Sequence, residues 1–191
     1  MNETSRRRDP SAWLGVLFGT SSSGLALDAA LVAVRAALSW TFIYYGASKL
    51  FGSFSGPGPK GIHQSSLFFA NTAHLHPGGF FAVLGGTTEF LGGIAMALGL
   101  ATRLAGLALF ADMVIAMITV TWATGFNSVT SPPGYQLNIA VGALALAVTL
   151  IGAGRFSLDA IIVRRFRLET TESPDDAPGR VPASSTRPPH G

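Results

Sequence analysis

Arg35, Glu89 and Asp112 are the residues through which this sequence could do chemistry, because each sits deep inside a long run of apolar side chains. At bilayer depth an ionisable group costs about 2.5–3.5 kcal/mol even on lenient insertion scales, so such groups turn inward and find partners. Glu89 lies 11 residues from either end of its run, 78–100, and Asp112 lies 10 residues past Thr102. At 1.5 Å per residue both reach about 15 Å, the middle of a membrane. Arg35, Ser39, Phe42, Gly46 and Lys49 recur in steps of three and four and share a helix face. Gly85, Gly86, Glu89, Gly92, Gly93 and Met96 do the same on the next apolar run. Small residues let membrane helices approach closely, so Glu89 is expected in a tight helix contact, with Arg35 as its partner. One cation against two carboxylates leaves a formal negative charge. A dry interior then requires a bound proton, water, a ligand or another cation. The cluster is therefore expected to be a proton-handling or polar ligand-head site, or else an ion pair that only fixes helix register.

Other chemistries are poorly supplied. The chain has no cysteine, which excludes disulfides, thiol chemistry and a cysteine-ligated cluster on this chain. The four histidines, His63, His74, His76 and His190, all lie outside the apolar runs, so no histidine pair can hold a haem between helices. His74 and His76 with His63 have no recognised ligand spacing, and no metal site is expected. Gly56-Pro57-Gly58-Pro59 is turn chemistry and not a phosphate loop.

The elements that must position these residues are helices in a bilayer. Only 12% of the 191 residues are charged, against about 25% in soluble domains. Four apolar stretches, 26–51, 78–100, 102–124 and 135–153, approach or exceed the roughly 20 residues a spanning helix needs, the fourth being slightly short. Backbone groups in lipid must bond within the segment, so each is predicted to be a helix. The fold expected is an all-α integral membrane four-helix bundle, residues 26–163. It is preceded by an N-terminal segment, 1–25, and followed by a disordered tail, 164–191. Arg6, Arg7, Arg8, Arg103, Arg155, Arg164, Arg165 and Arg167 fall on one side of this plot, and Lys49 and Lys60 on the other. The positive-inside rule puts both termini in the cytoplasm, with Trp122, Tyr135, Tyr44 and Tyr45 toward the outer interface. The bilayer is the expected surrounding and nucleic acid is not an expected partner. An oligomer is compatible with the sequence.

The ordered run Arg35, Gly46-x-x-Lys49-Leu50-Phe51-Gly52, Gly56-Pro57-Gly58, Glu89-Phe-Leu-Gly92-Gly93 and Gly99-Leu-x-Thr102-Arg103 resembles the DoxX family. So do Gly125-Phe126, Gly134-Tyr135 and Gly152-x-Gly154-Arg155-Phe156-Ser157-Leu158-Asp159. The likeness extends over about 30–163. It implies a four-helix protein of the bacterial inner membrane, in a family named for a subunit of a thiosulfate:quinone oxidoreductase. The family-pattern positions are Arg35, Gly46, Lys49, Glu89, Gly92, Arg103, Arg155 and Asp159. Where many relatives have Glu after the Gly-Tyr, this chain has Gln136. Asp159 is expected either to pair with Arg155 or to cap the following amphipathic piece, 160–166.

Together these features suggest a membrane subunit of an oxidoreductase system that handles quinone or another small apolar ligand. Lacking a redox centre of its own, it would borrow electrons from a soluble or membrane partner protein. The alternatives are a non-enzymatic scaffold for a partner enzyme and, last, a small proton-coupled transporter. Against the transporter, no proline lies in any span, and only a loose likeness links the second and fourth.

Overall fold

The computed structural model describes residues 24–54, 58–127, 129 and 133–171, with side chains to residue 165. Among them all regular structure is helical. Helix α1 spans Gly24–Phe51, α2 Gly61–Asn71, α3 Gly78–Leu98, α4 Thr102–Ala116, α5 Gln136–Ile151 and α6 Leu158–Thr171. Helix α4 continues through a π-turn, Met117–Thr121, and a 3₁₀ turn, Trp122–Thr124. The full segment Thr102–Thr124 thereby reaches 23 residues. With α1 and α3 it makes three helices long and apolar enough to cross a membrane, and α5 is a shorter apolar helix of 16 residues.

Helices α1, α3, α4 and α5 run alternately up and down and close into a bundle, α1 packing on both α3 and α5. Their shared core is small: Leu38, Phe42, Met96, Ala105, Leu109, Val141, Ala145 and Val148. Large apolar side chains face outward instead, among them Trp40 at 77% exposure, Leu104 at 70% and Leu150 at 68%. An apolar exterior around a modest core suits lipid, where no hydrophobic force drives helices together. Close backbone approach and polar contacts must then hold the bundle.

The glycines supply the approach, though not on one face. A Cβ on Gly46 would stand 2.8 Å from Phe90 Cα and 2.9 Å from the Gly86 carbonyl oxygen, so α1 rides directly on the α3 backbone. Gly86 and Gly93 receive Leu50 and Ile43 of α1, Gly92 receives Leu109 of α4, and Gly85 faces Phe69 of α2. The glycine stripe therefore serves three neighbours.

Several boundaries differ from expectation. Helix α1 is already formed at residue 24, where the described residues begin, and α3 ends at Leu98, where Gly99 turns left-handed at φ 65°. The connection after α1 contains a helix of its own, α2, laid against α3 and α1. A mean pattern of polar and apolar residues there gives little periodicity, and packing decides the matter. Residues 164–171, expected in a disordered tail, belong to α6. The tyrosines and Trp122 gather at the end away from Arg103, Arg155 and Arg164, with the Trp122 and Tyr135 rings stacked at 5.2 Å. The basic start 1–23, Gly56-Pro57, Pro132 and the tail from 172 onward lie outside the described residues.

Gly46→Ala should lower the thermal midpoint by the equivalent of about 1–3 kcal/mol, because backbone atoms cannot yield to the new methyl. Gly142→Ala, whose added Cβ meets Met113 Cβ at 3.4 Å, should be close to neutral. Equal midpoints for the two variants in detergent would contradict the close approach of α1 and α3.

Candidate functional site

Two polar assemblies occupy the bundle, one at the end where α3 and α5 finish and one near mid-depth. The first is built on Arg35, which is 4% exposed. Its Nε donates to the Met96 carbonyl at 2.9 Å and its Nη2 to Ala97 at 3.1 Å. Its Nη1 donates to Ala153 at 2.9 Å and to Phe156 at 2.8 Å. A helix leaves its last carbonyls without partners. Arg35 takes those at the end of α3 and, beyond α5, those of the turn into α6. Gly99 is required here, because a Cβ would fall onto the guanidinium. The expected pairing of Arg35 with Glu89 is therefore corrected. The guanidinium is committed to carbonyls, and its fork geometry suits several acceptors better than one carboxylate.

Asp159 does the complementary work at a helix start. Its Oδ1 accepts the Ala101 N–H at 2.7 Å and its Oδ2 the Thr102 N–H at 2.9 Å. It caps α4 from across the bundle and helps hold Ala101 in its left-handed conformation, φ 46°. Asp159 neither pairs with Arg155 nor caps the following piece 160–166, the two expectations for it, because both its oxygens are taken by the start of α4. Arg155 instead meets Asp28, a buried residue inside α1. The Arg155 N–H donates to Asp28 Oδ1 at 3.0 Å, and Arg155 Nε stands 3.7 Å from Oδ2. The start of α6 is closed by Ser157 Oγ, which accepts from Ala160 N at 3.2 Å. The Gly152–Asp159 segment thus ties α1, α3, α4 and α5 together. Burial works against the Asp159 carboxylate, but the Thr102 and Ala101 N–H donors and the Arg35 charge prevail and hold its pKa below the ordinary value.

The second assembly contains Glu89, Asp112 and a residue not weighed as a partner. Lys49 Nζ stands 2.7 Å from Glu89 Oε1, with side-chain exposures of 19% and 4%. Lys49 sits in the last turn of α1. Because Gly46 brings that helix onto α3 and Gly85 and Gly86 leave room above Glu89, the lysine reaches inward to the carboxylate. The Phe69 ring lies 5.9 Å from Nζ, and Ser65 Oγ of α2 donates to the Lys49 carbonyl at 2.9 Å. Asp112 approaches from α4 and interacts with both Glu89 and Lys49. Glu89 Oε2 and Asp112 Oδ2 are buried without hydrogen-bond partners. With Lys49 replacing Arg35, the formal sum with both carboxyls ionised is still one negative charge.

Lys49 and Asp28 join Arg35, Glu89 and Asp112 as charged residues of the spanning helices that turn into the bundle, where three were expected. A signal for Lys49 was present, since it shares the face of Arg35 and Gly46. Antiparallel packing of that face on the glycine stripe sets Arg35 against Met96 and Lys49 near Glu89. Arg103 is exposed beside Gly152, and Gln136 begins α5 with an exposed side chain. His63, His74 and His76 are exposed, and no group of three metal-ligating side chains converges among the described residues. A lipid-facing groove of about 300 Å³ between α4 and α5 is lined by Phe110, Met113, Met117, Asn138, Gly142 and Leu146.

Arg35→Met should cost on the order of 3–5 kcal/mol, because several carbonyls lose a charged donor at once. The thermal midpoint in detergent reports it, and a parental midpoint would contradict the network. Asp159 supplies a pH test. Its pKa is depressed in the folded state, so its contribution is complete above the ordinary value of 3.8. It is lost as pH falls through the lower folded value. The stability difference between parent and Asp159→Ala should therefore be constant from pH 7 to about 5 and shrink below pH about 4. A difference that stays constant down to pH 2 would contradict the cap.

Residues 30–122 match the family model described as DoxX. The matched stretch takes in Arg35, Gly46, Lys49, Glu89, Gly92, Arg103 and Asp112, and ends before Arg155 and Asp159. No curated protein and no solved structure gave a match. With the family match running from within α1 to near the end of the α4 span, and taking in Arg35, Lys49 and Glu89 of the two assemblies above, this chain belongs to the DoxX family of membrane proteins.

Proposed function

We propose that this protein is the membrane subunit of an oxidoreductase system that handles a quinone or another small apolar ligand, with Lys49, Glu89 and Asp112 as its proton-handling centre. The observation that carries the reading is the Lys49–Glu89 pair at 2.7 Å beside two buried carboxyl oxygens without partners. Packing alone rarely leaves such atoms unsatisfied in an apolar medium. Two acceptor oxygens and an ammonium suit a ligand head that both accepts and donates hydrogen bonds. A proton shared between Glu89 and Asp112 removes the excess charge and gives the centre something to transfer. A quinone, when bound, supplies the two-electron, two-proton chemistry that these side chains lack. Lys49 would hold the head by charge and hydrogen bonding, Glu89 and Asp112 would exchange protons with it, and Phe69 covers the lysine. The α4–α5 groove offers an apolar surface for a tail. With no cysteine in the chain, electrons come from a partner protein. By the positive-inside rule the Arg103–Arg155–Arg164 end faces the cytoplasm of a bacterial inner membrane.

Protein purified from its own membranes in mild detergent should retain a quinone-class lipid. Glu89→Gln should lower that retention about tenfold, the worth of one charge-assisted hydrogen bond, while the thermal midpoint stays near the parent's. Parental protein without quinone, or Glu89→Gln with parental content, overturns the reading. Co-purification of a dehydrogenase or sulfur-transfer enzyme without quinone would point to a scaffold, and proton-coupled uptake into vesicles to a transporter.

A further inference from the structure

An open groove of about 750 Å³ lies between the first turn of α4, the end of α5 and the start of α6. Arg103, Arg155 and Arg164 line it, together with apolar Leu104, Ile151 and Val163. Asp159 is the acidic residue in the lining, and both its oxygens are occupied by the N–H groups of Ala101 and Thr102. Arg155 is partly balanced by Asp28 at 3.7 Å. Arg103 and Arg164 form no salt bridge among the described residues. Two uncommitted guanidinium groups thus share one groove with an apolar floor, at the level where three helices end.

Helix α6 fixes that level. Ile161, Ile162 and Val163 are all exposed, and Arg164 and Arg165 follow directly, also exposed. After its capped first turn the helix makes little contact with the bundle. A short helix with apolar and basic residues side by side lies in the boundary between acyl chains and headgroups. The groove beneath it therefore opens to headgroups on one side and to chains on the other.

We propose that this groove is a binding site for an anionic phospholipid of the adjoining leaflet, its phosphate held by Arg103 and Arg164 and its acyl chains resting on Leu104, Ile151 and Val163. Planar guanidinium groups suit a phosphate, and each basic residue near a membrane surface adds appreciably to anionic lipid affinity. A bound lipid would bridge α4 and α6, two elements joined otherwise by the Asp159 cap. The site is separate from the Lys49–Glu89–Asp112 centre and stands whether or not that centre handles a quinone.

Native mass spectrometry of the delipidated full chain, titrated with phosphatidylglycerol and with phosphatidylcholine, tests the proposal. Phosphatidylglycerol should bind at least about tenfold more tightly than phosphatidylcholine. The double variant Arg103→Gln, Arg164→Gln should lose roughly tenfold to thirtyfold in phosphatidylglycerol affinity with phosphatidylcholine affinity unchanged. Arg165→Gln, outside the groove, should keep parental affinity. Should the double glutamine variant misfold by circular dichroism, Arg103→Lys with Arg164→Lys preserves the charges and should keep the anionic preference. Equal affinity of the parent for both lipids, parental phosphatidylglycerol affinity in a folded glutamine variant, or loss of the preference in a folded lysine variant overturns the proposal. Millimolar inorganic phosphate should not displace the lipid, since it cannot use the apolar floor. Displacement would assign the groove to a free anion and overturn the lipid reading.

Discussion

The bundle depends on one buried cation. Arg35 reaches from α1 across to the end of α3 and to the turn after α5, and donates to four carbonyls there, of which Met96 also accepts the Gly99 N–H. In water those carbonyls would be solvated at small cost. At the edge of a bilayer the alternative is an unpaired dipole, so a charged donor shared among four of them is strongly favoured. The rest of that end follows: Gly99 makes room for the guanidinium, Asp159 supplies acceptors to the start of α4, and Asp28 holds the Arg155 backbone. Once α1 is pinned to α3 at this end, the direction and spacing of the pair are fixed along their length.

That fixed spacing creates the second assembly. Gly46 on the α3 backbone places Lys49 where its side chain must either leave toward the surface or turn inward to Glu89. The pair at 2.7 Å shows which wins. Glycines at 85 and 86 keep the path open, and α2 covers it from outside. The two ends have opposite electrostatic characters. At the Arg35 end most charges are saturated by hydrogen bonds and serve architecture. At the Lys49 end one cation faces two carboxyls, and two oxygens lack partners. The Arg35 end also holds two buried atoms without hydrogen-bond partners, Asp28 Oδ2 beside Arg155 Nε and Thr102 Oγ1, so what sets the Lys49 end apart is its unbalanced charge at mid-depth.

Much was legible in the sequence, for reasons that differ by element. The spanning helices were readable because lipid accepts only long apolar segments with internal hydrogen bonds. The burial of Arg35 and Glu89 and the close approach at Gly46, Gly86 and Gly93 followed from side-chain type and helical period. Helix α2 was not readable, since its 11 residues carry a weak pattern and gain stability by packing on α3. The partnership of Arg35 was misread, because opposite charge suggested Glu89 while orphaned helix carbonyls leave no mark in a sequence.

The sequence by itself determined that the chain lives in a membrane, which residues lie at depth, and that their charges do not balance. Those conclusions rest on solvation costs, which depend on residue type and on position along a helix. Only the tertiary structure decided which charge meets which. A shift of helix register moves a side chain by several ångströms, and an ion pair or a cap is gained or lost within that distance. Lys49 with Glu89, Asp159 with the α4 N–H groups and Arg35 with four carbonyls are all outcomes of that placement.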